Sequence, residues 1–412
     1  MASNEYETLN DLIELSIFER FSAVLKLVSL LYHVPLTAIK YPFLASPKPP
    51  ITHIIVNTIL KNAFRLLTAR QLRIVVPSSF GAYFAHCKAH GLYLDIEKVP
   101  PHSSDAQPVR LLWLGPRWDP SSRTSAHLGD VDTSQVQENK PPGVPPKKVL
   151  LYIHGGGFQI PMGAWHLHLC EWLRKQVGED SGFSIALLEY GLTPTNKYPT
   201  QLRQCVSAVD YFLKRGLRPE NLALAGDSAG GQIILSLLSH SLHPHPSIPP
   251  IDIHSPLSHT ILISPATHLR STAPSITSMQ PYDMLTRPVI TRWTDLLVSG
   301  TSYEQEIKNN TGYWGAAALA PVDWWRGLER VVGKVGVIAG ECEMLRDDIL
   351  VCGEKMEKAV AGKVGFEMVV ARREAHDAFV VEFAVGWEGV KPGDSGRAIK
   401  RWVEDFVKGA RK

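Results

Sequence analysis

Cysteine is scarce in this sequence. Only five cysteines occur among 412 residues, and no two of them form a C-x-x-C pair. An odd, scattered set of this kind predicts neither a disulfide framework nor a zinc site. Because disulfides accumulate in oxidising compartments, their expected absence favours an intracellular protein, either cytoplasmic or associated with a membrane.

An excess of charge of one sign is also missing. Forty-three lysines and arginines are nearly balanced by forty acidic residues, which leaves a formal net charge of +3. Nucleic-acid binding calls for clustered basic residues, so we expect no nucleic-acid partner. Hydrophobic residues make up 44% of the chain, which is ample for a large buried core.

The N-terminal region has no long uncharged apolar run. Leu27–Ile39 has no Lys, Arg, Asp or Glu, but it covers only 13 residues and contains Pro35. A membrane-spanning helix needs about 20 apolar residues. Residues 1–10 contain two glutamates and no basic residue, so no signal peptide is expected. We predict amphipathic helices that cover an apolar cleft, with a peripheral membrane contact as the alternative.

Short apolar runs alternate with helical patterns along most of the remaining chain. The runs are apolar on both faces, which is typical of central strands in a parallel sheet. They are Lys148–Ile153, Ser184–Glu189, Asn221–Ala225, Thr260–Ile263, Lys334–Ala339 and Gly365–Val370. The helical patterns are Ala164–Val177, Pro199–Arg215, Ala229–Leu242, Met344–Ala361 and Ser395–Val407. The alternation predicts a mostly parallel sheet flanked by helices, with Gly91–Val99 and Val109–Leu114 as an antiparallel edge and eight strands in all.

Four segments fall outside this alternation. Asp119–Lys147 is rich in helix breakers and predicts a long surface loop. Ser239–Ser258 combines histidines with prolines, and we interpret it as a connector rather than a metal site, because the prolines block regular structure.

Residues 1–73 and 266–330 are rich in helical patterns. The second of these stretches contains aromatic residues that we expect mainly in a helical core, with about a third of them in contact with substrate: Tyr282, Trp293, Tyr313, Trp314, Trp324 and Trp325.

The strongest chemical signal is Gly226-Asp227-Ser228-Ala229-Gly230. It lies between a predicted strand and a predicted helix, which is the setting that a G-x-S-x-G nucleophile turn requires. The glycines allow a sharp turn that presents the Ser228 hydroxyl above the sheet edge. Ser228 is therefore the predicted nucleophile.

A second glycine-rich segment, His154-Gly155-Gly156-Gly157, ends another predicted strand. Glycines allow backbone N–H groups to approach a substrate oxygen closely. We predict that the N–H groups of Gly156, Gly157 and Ala229 form an oxyanion hole.

Together, His154–Phe158 (HGGGF) and Gly226–Gly231 (GDSAGG) resemble the hormone-sensitive-lipase-like branch of the α/β-hydrolase fold, including its fungal steryl and secondary-metabolite acetyl esterases. Glu189–Pro194 (EYGLTP) is similar to another motif of that branch. The resemblance covers about residues 148–390. It implies a helical cap built from residues 1–73 and 266–330, over a core formed by residues 74–265 and 331–412.

The remaining two members of a catalytic triad should follow Ser228 in the order acid, then histidine. His376 follows the last predicted strand, whereas His154, His166, His168 and His268 precede the expected acid. The family pattern places the acid at Glu343, where this chain has glutamate instead of the family's aspartate. Glu341 and Asp347 are the alternatives, and we expect Asp348 to pair with Arg346 or to cap structure.

These residues predict a serine carboxylester hydrolase that acts through an acyl-enzyme and needs no cofactor or metal. The expected partner is a small-molecule ester with a small or hydrophobic acyl group. The first alternative is the same triad used for acyl transfer or cyclisation in natural-product biosynthesis. The second is a non-catalytic binding protein such as the gibberellin receptors, which resemble this branch but lack the histidine that His376 supplies here.

Overall fold

The computed structural model describes residues 16–72, 76–102, 107–118, 146–178, 181–384 and 392–409. The predicted surface loop Asp119–Lys147 lies outside the described residues except for its last two positions. The first 15 residues of the predicted N-terminal helical segment lie outside them as well.

Eight strands form one mixed sheet in the order β1-β2-β4-β3-β5-β6-β7-β8. All neighbouring pairs from β4 to β8 are parallel, while β2 runs antiparallel to both β1 and β4. This confirms the predicted sheet with its antiparallel edge. The strands are β1 Ile96–Val99, β2 Val109–Leu114, β3 Lys148–Ile153, β4 Phe183–Glu189, β5 Leu222–Asp227, β6 Leu257–Ile263, β7 Val332–Gly340 and β8 Gly365–Ala371.

Helices cover both faces of the sheet. The described residues contain α1 Ile17–Val28, α2 Leu30–Lys40, α3 Ile51–Leu66, α4 Ala69–Leu72, α5 Ser79–His90, α6 Ala164–Val177, α7 Thr200–Lys214, α8 Ala229–Leu242, α9 Ser275–Ser278, α10 Arg287–Val298, α11 Tyr303–Lys308, α12 Arg346–Val360, α13 Ala378–Glu382 and α14 Asp394–Lys408. The five predicted core helices are α6, α7, α8, α12 and α14, with ends that differ by at most two residues.

The alternation of side chains along β3 shows why the protein has three layers. Val149, Leu151 and Ile153 belong to a hydrophobic cluster that includes α7, α8 and α12. Leu150 and Tyr152 point the other way, into a cluster that includes α5, α6 and α14. Both faces of the strand are therefore buried, which explains its uninterrupted apolar sequence.

The proline-rich connector begins later than predicted, because α8 continues to Leu242. The stretch from there to β6 has no helix or strand, as expected. Two histidines of the predicted connector have protein partners: His240, on α8, has Nε2 3.1 Å from the carbonyl oxygen of Pro249, and His245 Nε2 lies 3.1 Å from Glu306 Oε1.

The N-terminal helices and the stretch before β7 meet each other. Asn57 on α3 donates a hydrogen bond of 2.8 Å to the carbonyl oxygen of Tyr282. Phe64, also on α3, packs against Trp293 on α10 with ring centroids 5.2 Å apart. These contacts join the two segments that the sequence assigns to a cap.

Helices α1 and α2 differ from the prediction that they cover an apolar cleft. The segment Ile17–Phe43 is helical over 27 residues, and by length and composition it is able to cross a membrane. Only 6% of the most apolar 18-residue stretch in this segment is buried. Ala23 is the one buried residue of α1, and α2 has none. Most of the apolar side chains of this segment therefore face outward.

Candidate active site

Ser228 occupies the sharp turn between β5 and α8. Its backbone has a φ of 48° and a ψ of −111°, a strained conformation for a residue with a side chain. The neighbouring glycines permit the turn, because a Cβ on Gly230 would lie 1.9 Å from the carbonyl oxygen of Ile153. A Cβ on Gly226 would lie 2.7 Å from the backbone of Gly230. The turn therefore fits only when both positions are glycine.

A hydrogen-bonded chain connects Glu343, His376 and Ser228. Glu343 Oε1 lies 2.6 Å from His376 Nδ1, and His376 Nε2 lies 2.9 Å from Ser228 Oγ. The three residues are 0%, 2% and 8% exposed, respectively. They follow β7, β8 and β5, so the parallel sheet brings them together at the carboxyl ends of its strands. Because a carboxylate only accepts, Nδ1 carries a proton and Nε2 is left to accept one from Ser228.

Glu343 is held by two further donors. Its Oε2 accepts hydrogen bonds from the backbone N–H of Gly340, at 2.7 Å, and from Ser264 Oγ, at 2.9 Å. The side chain thus turns back toward the end of β7, which accommodates the methylene that aspartate would lack. Ser264 also accepts a hydrogen bond from the backbone N–H of Asp377. Sequence reasoning missed Ser264, and its only signal is its place directly after β6.

The alternative acids have other partners. Glu341 Oε2 accepts a hydrogen bond from the backbone N–H of Arg373, and Asp347 Oδ2 accepts one from Ser275. Arg346 pairs with Asp347, at 2.9 Å, rather than with Asp348 as the sequence suggested. Asp348 instead contacts Ser271 and lies 3.6 Å from His268.

A second carboxylate lies beside His376. Asp377 Oδ2 is 3.3 Å from His376 Nε2, and the Asp377 side chain is buried. Burial lowers the pKa of His376, but the carboxylates of Asp377 and Glu343 outweigh burial and raise it above its ordinary value. Burial, the largest effect, raises the pKa of Asp377 well above its ordinary value, although the His376 imidazolium acts to lower it. The site therefore favours the protonated histidine that forms when Ser228 loses its proton.

The buried carboxylate of Asp227, next to Ser228, holds the turn in place through contacts with neighbouring side chains. It accepts a hydrogen bond of 2.7 Å from the Tyr152 hydroxyl and lies 3.3 Å from His166 Nε2. Burial raises the pKa of Asp227, but His166 and Tyr152 outweigh burial, so the pKa lies below its ordinary value. A Cβ on Gly155 would lie 2.2 Å from Asp227 Oδ2, so the loop after β3 packs directly on this carboxylate.

The predicted oxyanion-hole loop has the backbone that its glycines permit. Gly156 and Gly157 have φ values of 103° and 60°. A Cβ on Gly156 would lie 2.6 Å from the carbonyl oxygen of Ile160, and one on Gly157 would lie 2.1 Å from the Trp293 ring. Trp293 of the helix-rich insertion thus lies directly against this loop.

The other motif residues support the same arrangement. His154 stacks on Tyr190, with ring centroids 4.4 Å apart. Burial lowers the pKa of His154 to about 3, so its ring stays neutral. Ala229 is the first residue of α8, where backbone N–H groups have no acceptor within the helix. These groups are available to a negatively charged oxygen.

Sequence comparison agrees with the fold. A profile of the α/β hydrolase fold family matches residues 150–380, which is more than half of the chain. The chain belongs to this family.

Two curated relatives match over shorter stretches. The carboxylesterase/phospholipase LipF of Mycobacterium tuberculosis is 32% identical over 29% of this chain and 32% of its own length. An acetyl-hydrolase of Streptomyces hygroscopicus is 31% identical over 22% of this chain and 29% of its own length. The chain thus spans about a third of the length of these curated relatives.

A solved structure matches over nearly the whole chain. It is an esterase from the bacterial hormone-sensitive lipase family, with a TM-score of 0.54 and 18% identity. The match covers 93% of this chain and 97% of that one. At this identity the likeness shows the fold.

Proposed function

We propose that this protein is a serine carboxylester hydrolase with Ser228 as nucleophile, His376 as general base and Glu343 as the acid that orients His376. The observation that carries the proposal is the buried hydrogen-bonded chain from Glu343 through His376 to Ser228. A serine needs an adjacent base to act as a nucleophile, and the base needs a third group to fix its tautomer.

In the first step, Ser228 Oγ attacks the ester carbonyl carbon while its proton passes to His376 Nε2. The carbonyl oxygen becomes an oxyanion that accepts hydrogen bonds from the N–H groups of Gly156, Gly157 and Ala229. His376 then donates the proton to the leaving alcohol as the carbon–oxygen bond breaks, which leaves an acyl-enzyme. Water then attacks the acyl carbon while His376 Nε2 takes its proton. The bond between the acyl carbon and Ser228 Oγ breaks as His376 returns the proton to Ser228 Oγ, which releases the acid.

The surroundings of Ser228 support a proposal for the substrate class. Trp293 lies against the oxyanion-hole loop and Phe64 packs on Trp293. We propose that residues 1–73 and 266–330 form a cap whose aromatic side chains bind a hydrophobic ester. The acetyl-hydrolase of Streptomyces hygroscopicus supports a short acyl group.

The test is an acyl-chain-length panel of p-nitrophenyl esters on wild type, Ser228→Ala and Glu343→Ala. We expect turnover by wild type only, with a preference for short acyl chains. If Glu343→Ala keeps near-full activity, the acid assignment is wrong. If wild type hydrolyses none of the esters, hydrolysis is not its activity.

Product analysis in the presence of a competing alcohol separates hydrolysis from acyl transfer. A hydrolase releases mainly the free acid, whereas an acyltransferase yields mainly the new ester.

We also propose that Ile17–Phe43 places the protein on a lipid surface. The exposed apolar residues of this segment include Ile17, Phe18 and Leu31, and α2 packs against α3, which contacts Trp293 through Phe64. A membrane-bound ester would then enter beside the cap.

Flotation with phosphatidylcholine vesicles tests this proposal. Wild type should float with the vesicles, and the double variant Phe18→Asp/Leu31→Asp should not. Equal flotation of both proteins would contradict the proposal.

A further inference from the structure

Three histidines come together on α5 and α6. His86 and His90 are one helical turn apart on α5, and His168 lies on α6. Their ligand atoms are all within 4.8 Å of one another. The ring centroids are 4.3 Å apart for His86 and His90, and 5.3 Å apart for His86 and His168. None of the three residues belongs to the proposed catalytic machinery.

Two of the rings are oriented as metal ligands usually are. His90 Nδ1 lies 2.9 Å from the carbonyl oxygen of His86, and His168 Nδ1 lies 3.4 Å from that of Phe383. A carbonyl oxygen only accepts, so Nδ1 carries the proton in each ring and Nε2 keeps its lone pair. A backbone carbonyl that fixes the tautomer in this way is a typical partner of a metal-binding histidine.

The third ring supplies an independent observation. His86 is only 4% exposed, and neither of its ring nitrogens has a hydrogen-bond partner among the described residues. Leaving a buried polar group without a partner costs free energy, so an unpaired imidazole calls for an explanation.

We propose that His86, His90 and His168 bind one divalent transition-metal ion, with Zn²⁺ as the expected occupant. Imidazole nitrogens suit zinc, and three of them leave a fourth position for water. A tetrahedral zinc ion with bonds of about 2.0–2.1 Å holds its ligand nitrogens about 3.3 Å apart. Exposed His90 and half-buried His168 reach this spacing by rotating toward His86, which is fixed by burial. The ion would tie α5 to α6.

The test is a calorimetric titration of the full chain with Zn²⁺ after removal of metal by a chelator. Wild type should bind one equivalent. His90→Ala and His168→Ala should each bind at least about tenfold more weakly. His254→Ala removes an exposed histidine of the connector before β6 and should bind like wild type.

Two further readouts are independent of ester hydrolysis. Co²⁺ should give wild type the visible absorption of a tetrahedral site, and Zn²⁺ should raise the Tm of wild type but not of His90→Ala. The proposal is overturned if wild type binds no stoichiometric Zn²⁺, or if either cluster variant binds as tightly as wild type.

Discussion

At the carboxyl edge of the sheet, polar side chains are buried and bonded to one another, whereas along Ile17–Phe43 large apolar side chains are exposed. Glu343 is fully buried, and its carboxylate has three hydrogen-bond partners. Phe18 and Leu31, in contrast, are 79% and 77% exposed. The sheet edge is fixed by contacts within the chain, while much of the apolar surface of α1 and α2 is exposed. We therefore expect substitutions at the edge to alter the chemical step and substitutions in the cap to alter binding.

The largest effect should come from Ser228→Ala. Removing the nucleophile should lower kcat by about a million-fold, because the rest of the triad then has nothing to activate. Steady-state kinetics with p-nitrophenyl acetate measures this. Ser241→Ala is the matched control, since the one hydrogen bond of this hydroxyl to the described residues goes to the carbonyl oxygen of Leu237 on the same helix. Loss of activity in Ser241→Ala as well would point to a folding defect.

Glu343→Gln should have the second-largest effect, a loss in kcat of about 10³- to 10⁴-fold. An amide can hold His376 in the wrong tautomer and does not stabilise its protonated form. Glu341→Gln, which changes a carboxylate bonded to the backbone N–H of Arg373, should keep the kcat of wild type. A larger loss in Glu341→Gln than in Glu343→Gln would reverse the assignment.

Gly157→Ala tests the contact between sheet edge and cap. The new methyl group would meet the Trp293 ring and displace an oxyanion donor, so kcat/KM should fall about 10²- to 10³-fold. Gly91→Ala has a similar φ of 61° but open space around it, and should cost stability without loss of kcat/KM. Equal kinetics for both variants would argue against the role of Gly157.

Asp377→Asn should shift the pH dependence of kcat/KM. Activity needs neutral His376, and Asp377 raises the pKa of that histidine, so activity rises with pH through the raised pKa. Removing the charge lowers the pKa, and the acidic limb of the profile should move to lower pH by about 1–3 units. A profile that stays in place, or moves to higher pH, would contradict this assignment.

The smallest effect should come from Phe64→Ala in the cap. Loss of the contact with Trp293 should raise KM for bulky esters by about two- to tenfold and leave kcat unchanged. Phe84→Ala, on α5, is the control, because its side chain is exposed. A fall in kcat for Phe64→Ala would show that the cap also shapes the chemical step.

Much of the fold was predictable from the sequence, because the strands buried on both faces are apolar throughout and glycines mark the turns at their ends. β3, α6 and α8 begin and end where the pattern predicts. The family pattern pointed to Glu343, although glutamate replaces the expected aspartate there. The structure places this carboxylate beside His376 and shows how the backbone N–H of Gly340 turns it back.

Other features were not predictable, because they depend on contacts between distant segments. Ser264 touches Glu343 only because β6 and β7 are neighbours. His86 and His90 alone do not indicate a metal site in the sequence. The third histidine, His168, lies beside them only because α6 packs against α5. The sequence left open whether α1 and α2 cover a cleft or contact a membrane, because a helix pattern does not say what covers its apolar face.

Covalent labelling of the full chain with a fluorophosphonate probe tests the central claim most directly. Peptide mass spectrometry should find the label on Ser228 in wild type, none in Ser228→Ala, and much slower labelling in His376→Ala. A label on another residue, an unlabelled Ser228, or an unchanged rate in His376→Ala would contradict the proposed triad.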